Sequence, residues 1–302
     1  MDIEKIFKDK NISDSSTNLY LKNLIRLNDN KPIKNLNFLK DSKKIMSKIE
    51  DKAPTTQRSY IISIVSLLKQ LNSETKYKML YNDYFDILEV MNTNLKNRTT
   101  KTESEKECWL SNEDIKKIYD DKKVIINEIK SKKKLNEEQH EELLSFLILS
   151  LYYLQPPRRN LDYQLMNVIK NYNDDLDNKV NYLNLTNKQF IFNQYKTRGK
   201  YERQILEVSK DLMDVINIWL KYHPNKKETN FKLLVHYDGT PLTHNNDITR
   251  ILNKIFKCKI GSSMLRKMYL TNKYGSTMDE LKKDTEIMSH SVETAMNNYI
   301  KV

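Results

Sequence analysis

The amino-acid sequence predicts a mainly α-helical protein of the α+β class with one small antiparallel β-sheet. In most of the 302 residues, apolar side chains recur every three or four positions, which is typical of amphipathic helices. Between residues 180 and 208 they instead fall in three short segments rich in Tyr, Ile, Phe and Leu, which favours strands. A polar segment, residues 96–108, separates two helical parts, so two domains are expected.

The first domain, residues 1–95, is predicted to be a helical bundle. Residues 13–16 (SDSS) offer N-cap side chains for one helix, and Pro54 opens the clearest helix, because proline fits the first turn of a helix well. Each segment has one apolar face and the loops are short, which favours packing around a shared core. The predicted helices cover residues 17–28, 41–50, 55–72 and 74–95.

Residues 96–108 contain almost no apolar side chain and are interpreted as a linker. The second domain, residues 109–302, is expected to begin with a helix capped by Ser111. The two prolines at residues 156–157 end a later helix because proline lacks a backbone donor, and residues 197–200 (TRGK) predict a hairpin turn. The predicted strands cover residues 180–185, 189–196 and 201–208, and the further predicted helices cover residues 123–132, 137–154, 210–222, 245–257, 262–274, 278–287 and 291–300.

The chain is basic, with 52 Lys and Arg against 40 Asp and Glu, a formal net charge of +12. This excess favours a polyanionic partner, because basic side chains that neutralise phosphates release condensed counterions. The Lys-rich composition with few Gly and Ala also fits an AT-rich genome, such as that of a virus or mobile element. No apolar run is long enough to cross a membrane and the start is not a signal peptide, so an intracellular protein without a membrane partner is expected.

Metal, nucleotide and disulfide chemistry are not expected from the sequence. The five histidines form no HExxH motif and no cluster with cysteine. There is no P-loop and no GxGxxG, so no metal and no cofactor are predicted. Cys108 and Cys258 are far apart in the sequence, and we interpret them as two ordinary thiols.

Several basic side chains and one tyrosine remain as candidates for chemistry in the second domain. In chain order they are Arg159 with Asp162 three residues later, Lys196 at the predicted hairpin, Ser263-x-x-Arg266, and His290 nine residues before Tyr299. This order resembles the catalytic domain of the tyrosine recombinases (the phage-integrase family), which type IB topoisomerases share. The family pattern is Arg followed by an acidic residue, Lys on a β-hairpin, His-x-x-Arg, and a His or Trp nine residues before a nucleophilic Tyr.

The resemblance implies a metal-independent enzyme that breaks and rejoins DNA strands. Tyr299 would attack the phosphate and form a covalent 3′-phosphotyrosine. Arg159, supported by Asp162, and Arg266 would bind the non-bridging oxygens. Lys196 would protonate the leaving 5′ oxygen, while His290 and Ser263 would donate hydrogen bonds to the phosphate.

The resemblance covers residue 109 to the end, and residues 1–95 match the family's helical core-binding domain by layout. The implied function is site-specific recombination or integration. The implied partners are double-stranded DNA and further copies of the chain, in a homotetramer assembled on that DNA.

The spacing leaves two assignments open. Arg158 stands beside Arg159, and Arg159 is favoured because the acidic residue then has the family spacing. Lys188 and Lys200 compete with Lys196, which is favoured by its place at the hairpin turn.

The pattern departs from the family at two points. Ser263 replaces the usual His and cannot act as an imidazole base, so it either donates a hydrogen bond to the phosphate or caps the helix, as Ser262 could. Only three residues follow Tyr299, where many recombinases have a further helix that docks on a neighbouring copy, so another interface is expected.

Two alternative functions remain open. One is a DNA-relaxing enzyme of the type IB topoisomerase kind. The other is a catalytically weakened DNA-binding regulator, and Ser263 favours this second alternative.

Overall fold

The computed structural model describes residues 2–9, 12–71, 73–96, 100–199 and 202–300. The chain divides into two compact units, Met1–Lys101 and Thr102–Val302, and the boundary lies within the segment interpreted as a linker. The structure is mostly helical and has one small five-stranded sheet, so the predicted α+β class is confirmed. No helix in the described ranges is long and apolar enough to span a membrane.

The described part of the first unit contains five α-helices, which form a bundle. Four of them match the predicted helices, and the added one is the short N-terminal helix, whose sequence is too short to show a helical period. The side chain of Ser13 accepts a hydrogen bond from the Ser16 amide and caps the second helix, as expected. The helices are α1 (Ile3–Lys8), α2 (Asp14–Leu27), α3 (Ser42–Ser47), α4 (Pro54–Leu71) and α5 (Thr75–Lys96).

The core of the first unit lies along α4, which packs against α2 and α5. Ile61, Ile64 and Leu68 project from one face of α4 and are completely buried. The hydroxyl of Tyr84 on α5 donates a 2.8 Å hydrogen bond to the carbonyl of Leu39, which satisfies the only polar group of a large buried ring. The apolar spacing in the sequence therefore predicted the packed faces of this bundle.

The second unit contains eight of the described helices. The segment interpreted as a linker includes a short helix, which begins where Thr102 and Glu105 form a capping box. The predicted helices 262–274 and 278–287 are one continuous helix through Gly275, because glycine in a helix costs only about 1 kcal/mol. The helices are α6 (Glu103–Glu107), α7 (Asn112–Ile129), α8 (Glu137–Tyr153), α9 (Asn160–Gln164), α10 (Lys210–Tyr222), α11 (Asp247–Phe256), α12 (Ser262–Ile287) and α13 (Val292–Thr294), and a π-helical turn follows at Ala295–Tyr299.

Helix α8 is the centre of the second unit. Its residues 146–152 are all buried, which is typical of a helix surrounded by other elements. Helices α7, α10 and α11 pack against it. Because α8 ends just before the two prolines, the next helix, α9, begins at a fixed place beside this core.

The sheet is mixed, so the prediction of an antiparallel sheet is wrong in part. Strand order is β4-β3-β2-β1-β5; β1 and β2 run parallel, and the other neighbours run antiparallel. The three predicted strands correspond to β2, β3 and β4. The first and last strands were missed because they pair with each other although they lie far apart in the sequence, and a local apolar pattern does not reveal such pairing. The strands are β1 (Asn167–Ile169), β2 (Tyr182–Asn184), β3 (Gln189–Phe192), β4 (Gln204–Glu207) and β5 (Asn230–Lys232).

The two cysteines are joined in a disulfide, and the interpretation of Cys108 and Cys258 as separate ordinary thiols is wrong. Cys108 follows α6 and Cys258 follows α11, and their Cα atoms lie 5.8 Å apart. The sequence separation of 150 residues hid this pairing, because only the packing of the second unit brings the two segments together.

Loss of the disulfide is expected to lower the free energy of unfolding of the second unit by about 2–4 kcal/mol, because the bond restricts a long loop of the unfolded chain. Urea unfolding of the oxidised protein, with and without dithiothreitol, measures the effect. The Cys258→Ser variant is the control, since its unfolding curve should match that of the reduced wild type and should not respond to the reductant. Equal midpoints for the oxidised and reduced wild type would contradict the prediction.

His223, at the end of α10, is a buried neutral imidazole. Its Nδ1 accepts a 3.1 Å hydrogen bond from the Asn225 amide, so its Nε2 carries the proton and donates to the Lys232 carbonyl at 2.9 Å. Burial lowers the pKa of His223 from 6.5 to about 4. Protonation at Nδ1 would also break the bond from Asn225.

The stability of the second unit is therefore expected to fall between pH 6.5 and pH 4, since the unfolded chain binds a proton there that folded His223 does not. A pKa difference of this size corresponds to on the order of 3 kcal/mol. Urea unfolding at pH 7.5 and pH 5 should show a smaller difference for His223→Gln than for wild type. The control is the exposed His244, because His244→Gln should keep the wild-type pH dependence. An unchanged pH dependence in His223→Gln would refute the assignment.

Candidate active site

Arg159 is the N-cap residue of α9, immediately after the proline pair that ends α8. Its side chain is half-buried, and its guanidinium makes no hydrogen bond or ion pair with any residue in the described ranges. Arginine is charged at every physiological pH and binds oxyanions in a bidentate manner. The backbone of Arg159 is therefore fixed in position, and its charged side chain is available to a ligand.

Arg158, by contrast, binds other side chains of the protein. Its Nε donates to Oδ2 of Asp162 at 2.9 Å, and its Nη1 donates to Oε1 of Gln204 at 2.9 Å. Its guanidinium also lies 3.7 Å from the ring centroid of Phe192. The side chain is only 16% exposed. Arg158 is thus the arginine that α9 and the sheet bury.

Asp162 has a different partner from the one its spacing suggested. Its spacing predicted support for Arg159, but its carboxylate forms the ion pair with Arg158. Toward Arg159 it has a backbone hydrogen bond and an attraction to the charge of the side chain that is weaker than its attraction to Arg158. Burial raises the pKa of the Asp162 carboxyl above its ordinary value, and the charge of Arg158 acts in the opposite direction. Asp162 therefore fixes the first turn of α9, and the Arg159 side chain stays free.

Lys196 lies in the turn that connects β3 to β4, where the sequence placed it. Its side chain is exposed and has no hydrogen bond or ion pair within the described part of the chain. The rival Lys188 lies at the other end of β3, in the turn after β2. The other rival, Lys200, is outside the described residues.

Ser263 and Arg266 lie in the first two turns of α12. Gly261 is the N-cap residue and makes no side-chain hydrogen bond, so neither Ser262 nor Ser263 caps this helix. Ser263 is exposed and Arg266 is half-buried, and no ion pair holds the Arg266 guanidinium within the described ranges. A groove of about 670 Å³ runs along this helix start and the disulfide.

A chain of contacts connects α9 to the β3–β4 hairpin and to α12. Asn181 donates to the Asp162 carbonyl at 2.9 Å and to the Gln194 carbonyl at 2.8 Å, which joins α9 to the start of the hairpin loop. Asn160, next to Arg159, donates to Oγ1 of Thr249 on α11 at 2.9 Å. Thr249 lines the same groove as Gly261, at the start of α12. The elements that carry Arg159, Lys196 and Arg266 are thus linked within one unit.

His290 and Tyr299 form a second group at the end of the chain. Helix α12 ends in a Schellman motif, in which Ser289 is left-handed and the His290 amide bonds to the Thr285 carbonyl at 3.0 Å. The rings of His290 and Tyr299 stack with their centroids 5.1 Å apart. The Tyr299 side chain is 64% exposed.

The pair His290 and Tyr299 is separate from the three cations Arg159, Lys196 and Arg266. No hydrogen bond, ion pair or ring contact connects His290 or Tyr299 with Arg159, Lys196 or Arg266 in the described ranges. After Met268, Thr285 is the only buried residue of α12, so the helix that leads to Tyr299 is largely exposed.

Comparisons of the chain with models of known protein families, with curated proteins and with solved structures found no match. Three residues that organise the site, Gln204, Asn181 and Thr249, were not predicted from the sequence, and neither was the pairing of Arg158. A polar residue within a predicted strand was the only signal for Gln204. Asn181 and Thr249 gave no signal, because their partners are distant in the sequence.

Proposed function

We propose that the chain is a DNA strand-breaking and rejoining enzyme of the tyrosine recombinase kind, which acts in site-specific recombination or integration. The observation that carries the proposal is the contrast between neighbouring cations. Arg158 is buried in an ion pair, whereas the side chains of Arg159, Lys196 and Arg266 make no hydrogen bond or ion pair in the described ranges. The elements that carry them are linked through Asn181 and through Thr249 of α11. Such groups suit the negative charge of a phosphate in its transition state.

In the proposed reaction, the phenolic oxygen of Tyr299 forms a bond to the phosphorus as the bond from phosphorus to the 5′ oxygen breaks. The phenolic proton passes to solvent, and Lys196 transfers a proton to the leaving 5′ oxygen. Arg159 and Arg266 bind the two non-bridging oxygens. The reverse reaction, with a 5′ hydroxyl of another strand, rejoins the DNA.

The proposal includes a movement of the C-terminal segment. In the described part of the chain, no hydrogen bond, ion pair or ring contact joins Tyr299 to the three cations. We therefore propose that the segment that carries His290 and Tyr299 approaches the bound phosphate when the protein assembles on DNA. Double-stranded DNA is the proposed partner, in keeping with the net charge of +12, and a homotetramer is the proposed assembly.

The alternative is a DNA-binding regulator that has lost the chemistry. The observation that favours it is the exposed Ser263, which replaces an imidazole with a hydroxyl that does not act as a base at neutral pH.

The decisive experiment is a search for a covalent protein–DNA adduct. Because the target site is not known, the protein is incubated with a random pool of nicked duplexes, in which the cleaved fragment diffuses away and traps the adduct. Adducts that survive SDS are sequenced, and mass spectrometry locates the phosphate on the protein. The proposal expects adducts on Tyr299 at a defined site. Absence of any adduct would support the regulator, and rapid relaxation of plasmids by dilute protein without a specific site would support a topoisomerase.

A further inference from the structure

Arg158 contacts both strands of the hairpin that carries Lys196. Gln204, its hydrogen-bond partner, is the first residue of β4, and Phe192, against which it stacks, is the last residue of β3. Its guanidinium also lies 5.5 Å from the ring centroid of Tyr195, the residue before Lys196. One side chain, from the residue before the N-cap of α9, therefore occupies the base of the hairpin loop.

The same side chain is fixed to α9, the helix that follows it. The carboxylate of Asp162 that pairs with it is almost completely buried, and an ion pair inside a protein depends on geometry much more than one on the surface does. The planar guanidinium donates in two directions at once, to Asp162 and to Gln204, while its face lies on Phe192. A lysine ammonium at this position does not reproduce that arrangement, because it is a point charge on a flexible chain.

We propose that Arg158 is a positioning residue for Lys196. It holds the base of the β3–β4 hairpin against the first turn of α9, and so sets the distance between the Lys196 amine and a phosphate bound by Arg159. This inference rests on the proposed function, because it assigns Arg158 a role in delivering the proton to the 5′ oxygen.

The leaving group offers a test that distinguishes a misplaced Lys196 from a general loss of structure in the site. A 5′ oxygen leaves poorly unless it is protonated as its bond to phosphorus breaks. A 5′ sulfur leaves as a thiolate, because a thiol has a much lower pKa than an alcohol, and it needs no proton from Lys196. In both substrates the Tyr299 oxygen–phosphorus bond forms and the bond to the 5′ atom breaks; only the proton transfer differs.

The experiment compares duplexes recovered from the random pool, made with either oxygen or sulfur at the 5′ bridging position. Arg158→Lys is expected to cleave the oxygen substrate about 10²-fold more slowly than wild type. It is expected to cleave the sulfur substrate at a rate within a few-fold of wild type. Lys196→Ala should show the same pattern. Arg159→Ala should slow both substrates, since the phosphate contact is needed in each case.

Gln204→Met is the second variant, because it removes one hydrogen bond and leaves the ion pair of Arg158 with Asp162 intact. Gln204→Met is expected to slow cleavage of the oxygen substrate selectively as well, by a smaller factor. It tests the inference even if Arg158→Lys fails to fold. Equal slowing of both substrates by a folded variant, or wild-type cleavage of the oxygen substrate by both variants, would overturn the inference alone. A wild-type protein that forms no adduct with either substrate would overturn the proposed function as well.

Discussion

The Tyr299→Phe variant is expected to form no covalent adduct with DNA, a loss of about 10⁴-fold or more in cleavage. The change removes only the hydroxyl, because phenylalanine keeps the ring that stacks on His290. The side chain is largely exposed, so folding and DNA binding should be unaffected. Denaturing gels of the trapped adduct, alongside a binding assay, measure the two properties separately.

Tyr274→Phe is the matched control for this variant. Tyr274 is also an exposed tyrosine, on α12, and it has no role in the proposed reaction. Its substitution should leave adduct formation at the wild-type level. Adducts formed by Tyr299→Phe at the wild-type rate would show that another residue is the nucleophile.

The Arg159→Ala variant is expected to cleave DNA about 10²–10³-fold more slowly than wild type, the usual effect of losing one group that stabilises transition-state charge. Its guanidinium makes no hydrogen bond or ion pair in the described ranges, so the unfolding curve should change little. Single-turnover cleavage at saturating protein separates the rate from DNA affinity. We expect the same result for Arg266→Ala.

Arg250 provides the control for these arginine variants. It lies on the surface of α11, and its nearest carboxylate oxygen, on Asp247, is 3.9 Å away. Arg250→Ala should retain near-native cleavage, because an exposed charge of this kind contributes little. Near-native cleavage by Arg159→Ala would mean that the assignment of Arg159 as a phosphate ligand is wrong.

The helical part of the fold was predictable because its signal is local. The apolar faces of α2, α4 and α5 repeat over several turns, and their helices were predicted to within a few residues. The strands β1 and β5 were not predictable, because they pair with each other although they lie far apart in the sequence. Their pairing is decided by packing in the second unit.

The candidate site was predictable in its positions and not in its partners. The spacing placed Lys196 in a hairpin turn and Arg266 near the start of a helix, and the structure has them there. The spacing did not reveal that Asp162 pairs with Arg158. Which of two adjacent arginines turns inward depends on Phe192 and Gln204, which come from the hairpin, and a motif read along one segment contains no information about them.

The disulfide divides the chain into a covalent ring and two tails. Residues 108–258 form the ring, which includes Arg159 and Lys196, and the C-terminal tail carries Arg266, His290 and Tyr299. A protease cut within the ring leaves the fragments attached until a reductant is added. A cut in the exposed part of α12 releases at once a peptide that bears both His290 and Tyr299. A single backbone break in α12 therefore detaches the proposed nucleophile, together with His290, from the ring that holds Arg159 and Lys196.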